Sequence, residues 1–86
     1  MMSARILIDF AMAEGAVPRM LGLVERRGFQ VRGIGMEEDE AGETASLTLE
    51  VSPRDAGRRL DVLDLQLRRL VGVRDVITFN PAGQAS

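Results

Sequence analysis

The side chains able to do chemistry in this chain are thirteen carboxylates, eleven arginines and a few hydroxyls; His, Cys, Lys, Tyr and Trp are all absent. Proton transfer near neutral pH falls most often to His, or to a Glu or Lys displaced by burial. Covalent catalysis favours Cys, Lys, or Ser beside a base. Only carboxylates and a few hydroxyls remain for either task, so a chain that catalyses alone is not expected, and carboxylate-based hydrolysis is a distant alternative. Without Cys there is no disulfide framework and no thiolate metal site. The acidic run from Glu37 to Glu43 lacks the ordered ligand positions of a calcium loop. No metal and no cofactor are expected.

Three groups of residues can bind. Gly15 precedes a helix start, and the N–H groups of Gly15, Ala16 and Val17 form a set of helix-terminal donors suited to a carboxylate or phosphate. The plainer reading of Gly15 is a tight turn into the helix. Glu14, itself an anion, can cap that helix and take the place of a ligand carboxylate. Asp9 suits an amino group or simply solvent. Arg58, Arg59, Arg68 and Arg69 form an arginine cluster assigned to the second helix: a salt-bridged outer face or a docking surface. Val62 and Leu65 fall off that helix's core stripe, as interface residues do.

These residues must be positioned by six elements. Arg5–Phe10 alternates, with Ile6, Ile8 and Phe10 on the buried face. Val17, Met20, Leu21 and Val24 recur at helical spacing, with Pro18 in the first turn, Arg26 and Arg27 in the last, and Gly28 as the stop. The spacing predicts a helix over 16–27. Residues 29–36 read as a strand with Ile34 and Met36 inward, and Gly33 and Gly35 mark an edge, a bulge or a close backbone approach. Residues 43–51 alternate cleanly: Ala45, Leu47, Leu49 and Val51 on one side, Thr44, Ser46, Thr48 and Glu50 on the other, as in an antiparallel sheet with one wet face. Ser52-Pro53-Arg54-Asp55 reads as a capped helix start, with Leu60, Leu63, Leu67 and Leu70 as the core stripe and Gly72 as the end. Residues 73–79 form the last strand.

The order βαββαβ predicts an α+β, ferredoxin-like fold: a four-stranded antiparallel sheet with two helices on one face. Eighty-six residues make one domain, assigned to 1–80, with 81–86 a flexible polar tail. The net charge of −2 and pI of about 5.0 argue against a general nucleic-acid binder. The three aromatics, Phe10, Phe29 and Phe79, make a poor base-stacking sheet. The first loop also has neither the Arg nor the Asn of an acylphosphatase-like phosphate cradle. No apolar run is long enough to span a bilayer, and no leader pattern opens the chain, so a cytoplasmic protein with no membrane partner is expected.

The ordered motifs Ile6–Phe10, Glu14-Gly15-Ala16-Val17-Pro18-Arg19, Leu21-Gly22-Leu23-Val24 and Arg26-Arg27-Gly28-Phe29-Gln30-Val31 resemble an ACT domain. Within that family they resemble the small, regulatory subunit of acetolactate synthase (acetohydroxyacid synthase). Gln66-Leu67-Arg68-Arg69-Leu70-Val71-Gly72-Val73 is similar to that family's second-helix ending, Gln-Leu-x-Lys-Leu-Val-Asp-Val. The resemblance covers roughly residues 5–79. It implies a non-catalytic subunit that binds and activates a thiamine-diphosphate enzyme of branched-chain amino-acid synthesis. It also implies a homodimer joined side by side through the Arg32-Gly33-Ile34-Gly35 edge. An amino acid would sit between Met12, Glu14, Gly15, Ala16 and Val17 of one protomer and Gln30 and Val31 of its mate. Valine-sensitive members carry Asn where this chain has Met12 and again where it has Gln30. With Glu14 alongside, that implies weak or absent valine binding. Val62, Leu65, Arg68 and Arg69 are the candidate docking residues. The resemblance is to the short, single-domain type of subunit; a free-standing ACT sensor of an amino acid is the alternative.

Overall fold

Alternation in the first strand puts Ile6, Ile8 and Phe10 on one side, and in the computed structural model, which describes residues 3–80, all three are buried. The elements are β1 (Ala4–Ala11), α1 (Ala16–Arg26), β2 (Phe29–Glu38), β3 (Thr44–Pro53), α2 (Leu60–Arg68) and β4 (Val73–Phe79). They form one antiparallel sheet in the order β2-β3-β1-β4. The two helices pack on the same face of it, where Ile6, Ile8, Phe10, Ala45, Leu47, Leu49 and Val51 meet Met20, Leu23, Val24, Leu63 and Leu67. The α+β, ferredoxin-like arrangement expected from the sequence is therefore the fold. The tail assigned to 81–86 lies outside the described residues.

Local chemistry explains most boundaries. Gly15 (φ +79) starts α1 and Gly28 (φ +91) turns the chain from α1 into β2; both sit in the left-handed region that disfavours a Cβ. Along β2 the register shifts between Val31 and Gly33, so Val31 pairs with Val51 and Ile34 with Leu49. This bulge at Arg32 puts Val31 and Ile34, three residues apart, on the same face.

Two sequence expectations are corrected. Ser52-Pro53-Arg54-Asp55 does not open α2: Ser52 is buried and pairs with Gln30, and Pro53 pairs with Phe29 as the end of β3. A residue before Pro is pushed into extended backbone, which here prolongs the strand instead of capping a helix. Asp55 makes an Asx turn, its carboxylate accepting from the Gly57 N–H at 2.9 Å. The helix begins at Leu60 with Arg59 as its N-cap, and it ends at Arg68, four residues before Gly72 (φ +90). Second, Ile34 and Met36 share the helix side with Leu49 and Leu47 but are not buried, being 58% and 43% exposed. β2 runs past the cover that the helices provide.

Candidate functional site

The first candidate region is the Met12–Val17 loop and helix start. It is tied down by its backbone: Ala11 N–H donates to the Gly72 carbonyl, Met12 N–H to Glu43, and Ala16 N–H to Ala13. The last of these occupies one of the three donors expected to face a ligand. Gly15 N–H and Val17 N–H have no backbone partner among the described residues. No side chain caps α1 and its first turn holds no acidic residue. Glu14 is exposed and leaves the helix start open, contrary to the expectation that it caps there. Met12 is exposed on the loop. Behind the loop lies a crevice of about 10 Å³ between Phe10, Ala16, Met20 and Leu70.

Gln30 and Val31 lie at the other end of the sheet. They pair with Ser52 and Val51, and Val51 pairs with Ala4, whereas the loop leaves β1 after Ala11, opposite Thr44. Seven residue steps along β1 separate the two levels, about 24 Å. One protomer therefore does not gather the seven candidate ligand residues.

The edge residues Arg32, Gly33, Ile34 and Gly35 sit at the middle of β2, which has β3 on one side and, among the described residues, no strand on the other. Gly33 and Gly35 leave the open face bare there, and a Cβ on Gly35 would meet nothing within 4 Å.

The arginines divide into two groups rather than one cluster. Arg58 precedes α2 and Arg59 caps it, while Arg68 and Arg69 stand at its far end. Arg58 pairs with Asp55 at 3.2 Å, and its guanidinium lies over Gly28 in the space a Cβ would fill. Arg59 clasps Asp61 with two nitrogens, at 3.1 and 2.6 Å. Arg68 donates to Asp64 at 2.6 Å, to Asp75 at 3.4 Å and to the Val76 carbonyl, which locks α2 to the β4 edge. Of the four docking candidates, Val62, Leu65 and Arg69 fall at helical spacing along an outward stripe, with Leu65 61% exposed; Arg68 is tied to β4. A hollow of about 730 Å³ lies between α2 and β4, lined by Arg58, Asp61, Asp64, Arg68 and Thr78, and not beside the α1 loop.

The displaced titrations move away from neutral pH. The Arg59 hydrogen bond holds Asp61 below the usual carboxylate range. Partial desolvation pushes Asp39 up, but hydrogen bonds from Thr44, Glu43 and Gly42 outweigh it and hold that carboxyl low. Both shifts stabilise a fixed charge, the opposite of what proton transfer needs. No cluster of three or more potential metal ligands occurs among the described residues. No helix among them is long and apolar enough to cross a membrane.

One surface was not anticipated. Leu7, Ile77 and Phe79 share the open face of the sheet, paired Leu7↔Ile77 and Arg5↔Phe79, with Phe79 50% exposed. Its signal was available: Ile77 and Phe79 alternate in phase with the exposed Asp75, not with the buried Val76.

The profile of the ACT domain matches residues 12–76, from the α1 loop to the middle of β4. The chain belongs to the ACT domain family. ACT domains are typically regulatory, ligand-binding units that often dimerise. This ACT domain is similar in fold to the ACT domain of GTP pyrophosphokinase from Chlorobium tepidum, with a TM-score of 0.72 at 19% identity over 90% of this chain and 96% of that one. It is similar to the C-terminal domain of the MgtC protein from Mycobacterium tuberculosis, with a TM-score of 0.71, 15% identity and coverage of 95% and 89%. It is also similar to a formyltetrahydrofolate deformylase from Pseudomonas putida, with a TM-score of 0.77 and 11% identity, matching 92% of this chain but only 29% of the deformylase. No curated protein matches the sequence.

Proposed function

We propose that this ACT domain is a non-catalytic regulatory subunit of the cytoplasm that docks on and activates a thiamine-diphosphate acetolactate synthase catalytic subunit, with weak or absent valine feedback. The observation that carries this reading is the ordered set of sequence matches. The Glu14–Arg19 and Arg26–Val31 motifs fall on the two ends of α1, and Gln66–Val73 falls on the end of α2 and the turn into β4. The protomer pairs through the Arg32–Gly35 edge, and the outward Val62, Leu65 and Arg69 stripe is the docking face. An exposed Leu between polar residues on a helix flank suits such a contact. Co-elution with the catalytic subunit tests the docking: a complex that Leu65→Asp abolishes supports it, and separate peaks with the wild-type chain sink it.

A second reading, a free-standing amino-acid sensor, is favoured by the open start of α1. Gly15 and Val17 N–H point out of an uncapped helix, where a carboxylate is well placed. Calorimetric titration with valine, leucine, isoleucine, serine and phenylalanine separates the two. Micromolar heat that Gly15→Ala removes favours the sensor.

A further inference from the structure

Four arginines crowd one small cleft between the two helices. Arg26 is the last residue of α1 and Arg27 caps it; Arg58 and Arg59 come from the segment that leads into α2. Together they line a hollow of about 210 Å³, with Gly57, Val62 and the buried Leu63 completing the wall. Both sides are held in place. Gly28 turns the chain at the end of α1, its carbonyl accepts the Arg54 N–H, and the Arg58 guanidinium lies over it. Opposite, Asp55 accepts from the Gly57 N–H at 2.9 Å and pairs with Arg58. Guanidiniums that share a hollow repel one another, so the partner of each one matters. Arg58 has Asp55 at 3.2 Å and Arg59 has Asp61 at 2.6 Å. Arg26 and Arg27 enter no ion pair among the described residues. The negative end of the α1 dipole favours them, but it amounts to about half a charge, and the positive start of α2 across the cleft offsets it. The cleft thus keeps two positive charges in excess, in a chain whose net charge is −2. The larger hollow between α2 and β4 differs: Arg58, Arg59 and Arg68, which line it, each have a carboxylate partner.

We infer that this cleft binds the phosphate group of a small phosphorylated molecule. A phosphate group carries about −1.5 to −2 charges at pH 7, which matches the excess; a carboxylate supplies one. Its tetrahedral oxygens accept from guanidinium forks that approach from both walls, whereas a planar carboxylate spends its two oxygens on one fork. The hollow is smaller than the roughly 300–1,000 Å³ that encloses a drug-sized ligand. It therefore grips the charged group and leaves the rest of the molecule outside, where Val62 is exposed. The site is distinct from the Met12–Val17 loop. That loop stands at the opposite end of the eleven-residue α1, about 16 Å away along its axis. The inference does not depend on the docking proposed above, although Val62 belongs to both surfaces.

Nuclear magnetic resonance titration of the full chain with inorganic phosphate, pyrophosphate and acetate, at constant ionic strength and neutral pH, tests this. Phosphate is expected to give saturable shifts centred on the Arg27, Gly57 and Val62 amides, and acetate none at the same concentrations. Tighter binding of pyrophosphate assigns the site to linked phosphates, and equal binding assigns it to a single one. Arg26→Gln with Arg27→Gln, both at exposed positions, is expected to weaken phosphate binding at least about tenfold. Arg69→Gln with Arg74→Gln, outside the cleft, is expected to leave it unchanged, and thermal unfolding shows that both variants are folded. Shifts that never saturate, that spread over all the arginines, or that acetate reproduces overturn the inference. So does phosphate binding that survives loss of Arg26 and Arg27. A glutamate hexapeptide that occupies the cleft at lower concentration than pyrophosphate also overturns it, and marks the cleft as a surface for an acidic protein segment.

Discussion

Gly28→Ala perturbs two features of the fold at one atom. Gly28 turns the chain out of α1 at φ +91, a conformation that costs an L residue about 1–2 kcal/mol. The new methyl would also fall inside the Arg58 guanidinium, which lies over Gly28 and is held there by Asp55 at 3.2 Å. Arg58 is a flexible, partly exposed side chain, so it moves aside instead of forcing the backbone. What is lost is its packing and a screened ion pair, about 0.5 kcal/mol. The sum is about 2 kcal/mol. At about 4–8 °C per kcal/mol for a domain of this size, the melting temperature falls by about 10 °C. Thermal unfolding followed by circular dichroism measures this in the wild type and in an Arg58→Ala background. In the second background only the backbone part remains, so the loss there is smaller. A melting temperature unchanged by Gly28→Ala refutes the strain argument. An identical loss in both backgrounds refutes the packing of Arg58 on Gly28.

Other outcomes are expected. Leu63→Ala leaves a cavity under the sheet, because Leu63 is fully buried, and costs about 2–5 kcal/mol by urea unfolding. Ile34→Asp, at a site 58% exposed, leaves the protomer's urea midpoint within error while abolishing dimer formation. Arg68→Ala frees α2 from the β4 edge and speeds amide exchange at Val76 and Thr78, with little effect at Leu49. Asp39 has a lowered folded pKa, so the ionised carboxylate stabilises the β2–β3 turn at pH values above the ordinary Asp value of 3.8, and that stabilisation is lost as pH falls through the lower folded value. Nuclear magnetic resonance titration of the Glu43 and Thr44 amides checks this, and Asp39→Asn removes the acid transition.

The fold was legible because its buried faces are written in clean periods. Ile6-Ile8-Phe10 and Ala45-Leu47-Leu49-Val51 alternate, Leu63 and Leu67 recur at one helical turn, and the strand and helix order admits few topologies. What failed did so where one local signal serves two structures. Ser52-Pro53 suits a helix start and a strand end equally, and pairing with Gln30 and Phe29 decided for the strand. Spacing placed Ile34 and Met36 on the correct face, but periodicity reports facing and not cover, and no helix reaches them. The arginine cluster dissolved for the same reason: a later helix start left Arg58 and Arg59 outside it. At the candidate ligand site, the local signal at Gly15 showed where backbone donors gather. The distance between the α1 loop and Gln30–Val31 is a property of strand register, which the residues of either segment do not encode alone.

In the proposed role this chain acts on another enzyme and not on a substrate. Acetolactate formation by the isolated catalytic subunit, measured while the chain is titrated in, tests that most directly. The rate is expected to rise and saturate at a fixed ratio of the two chains, and Leu65→Asp is expected to shift the titration to higher concentration. A rate that stays flat at every ratio, with no complex formed, contradicts that role.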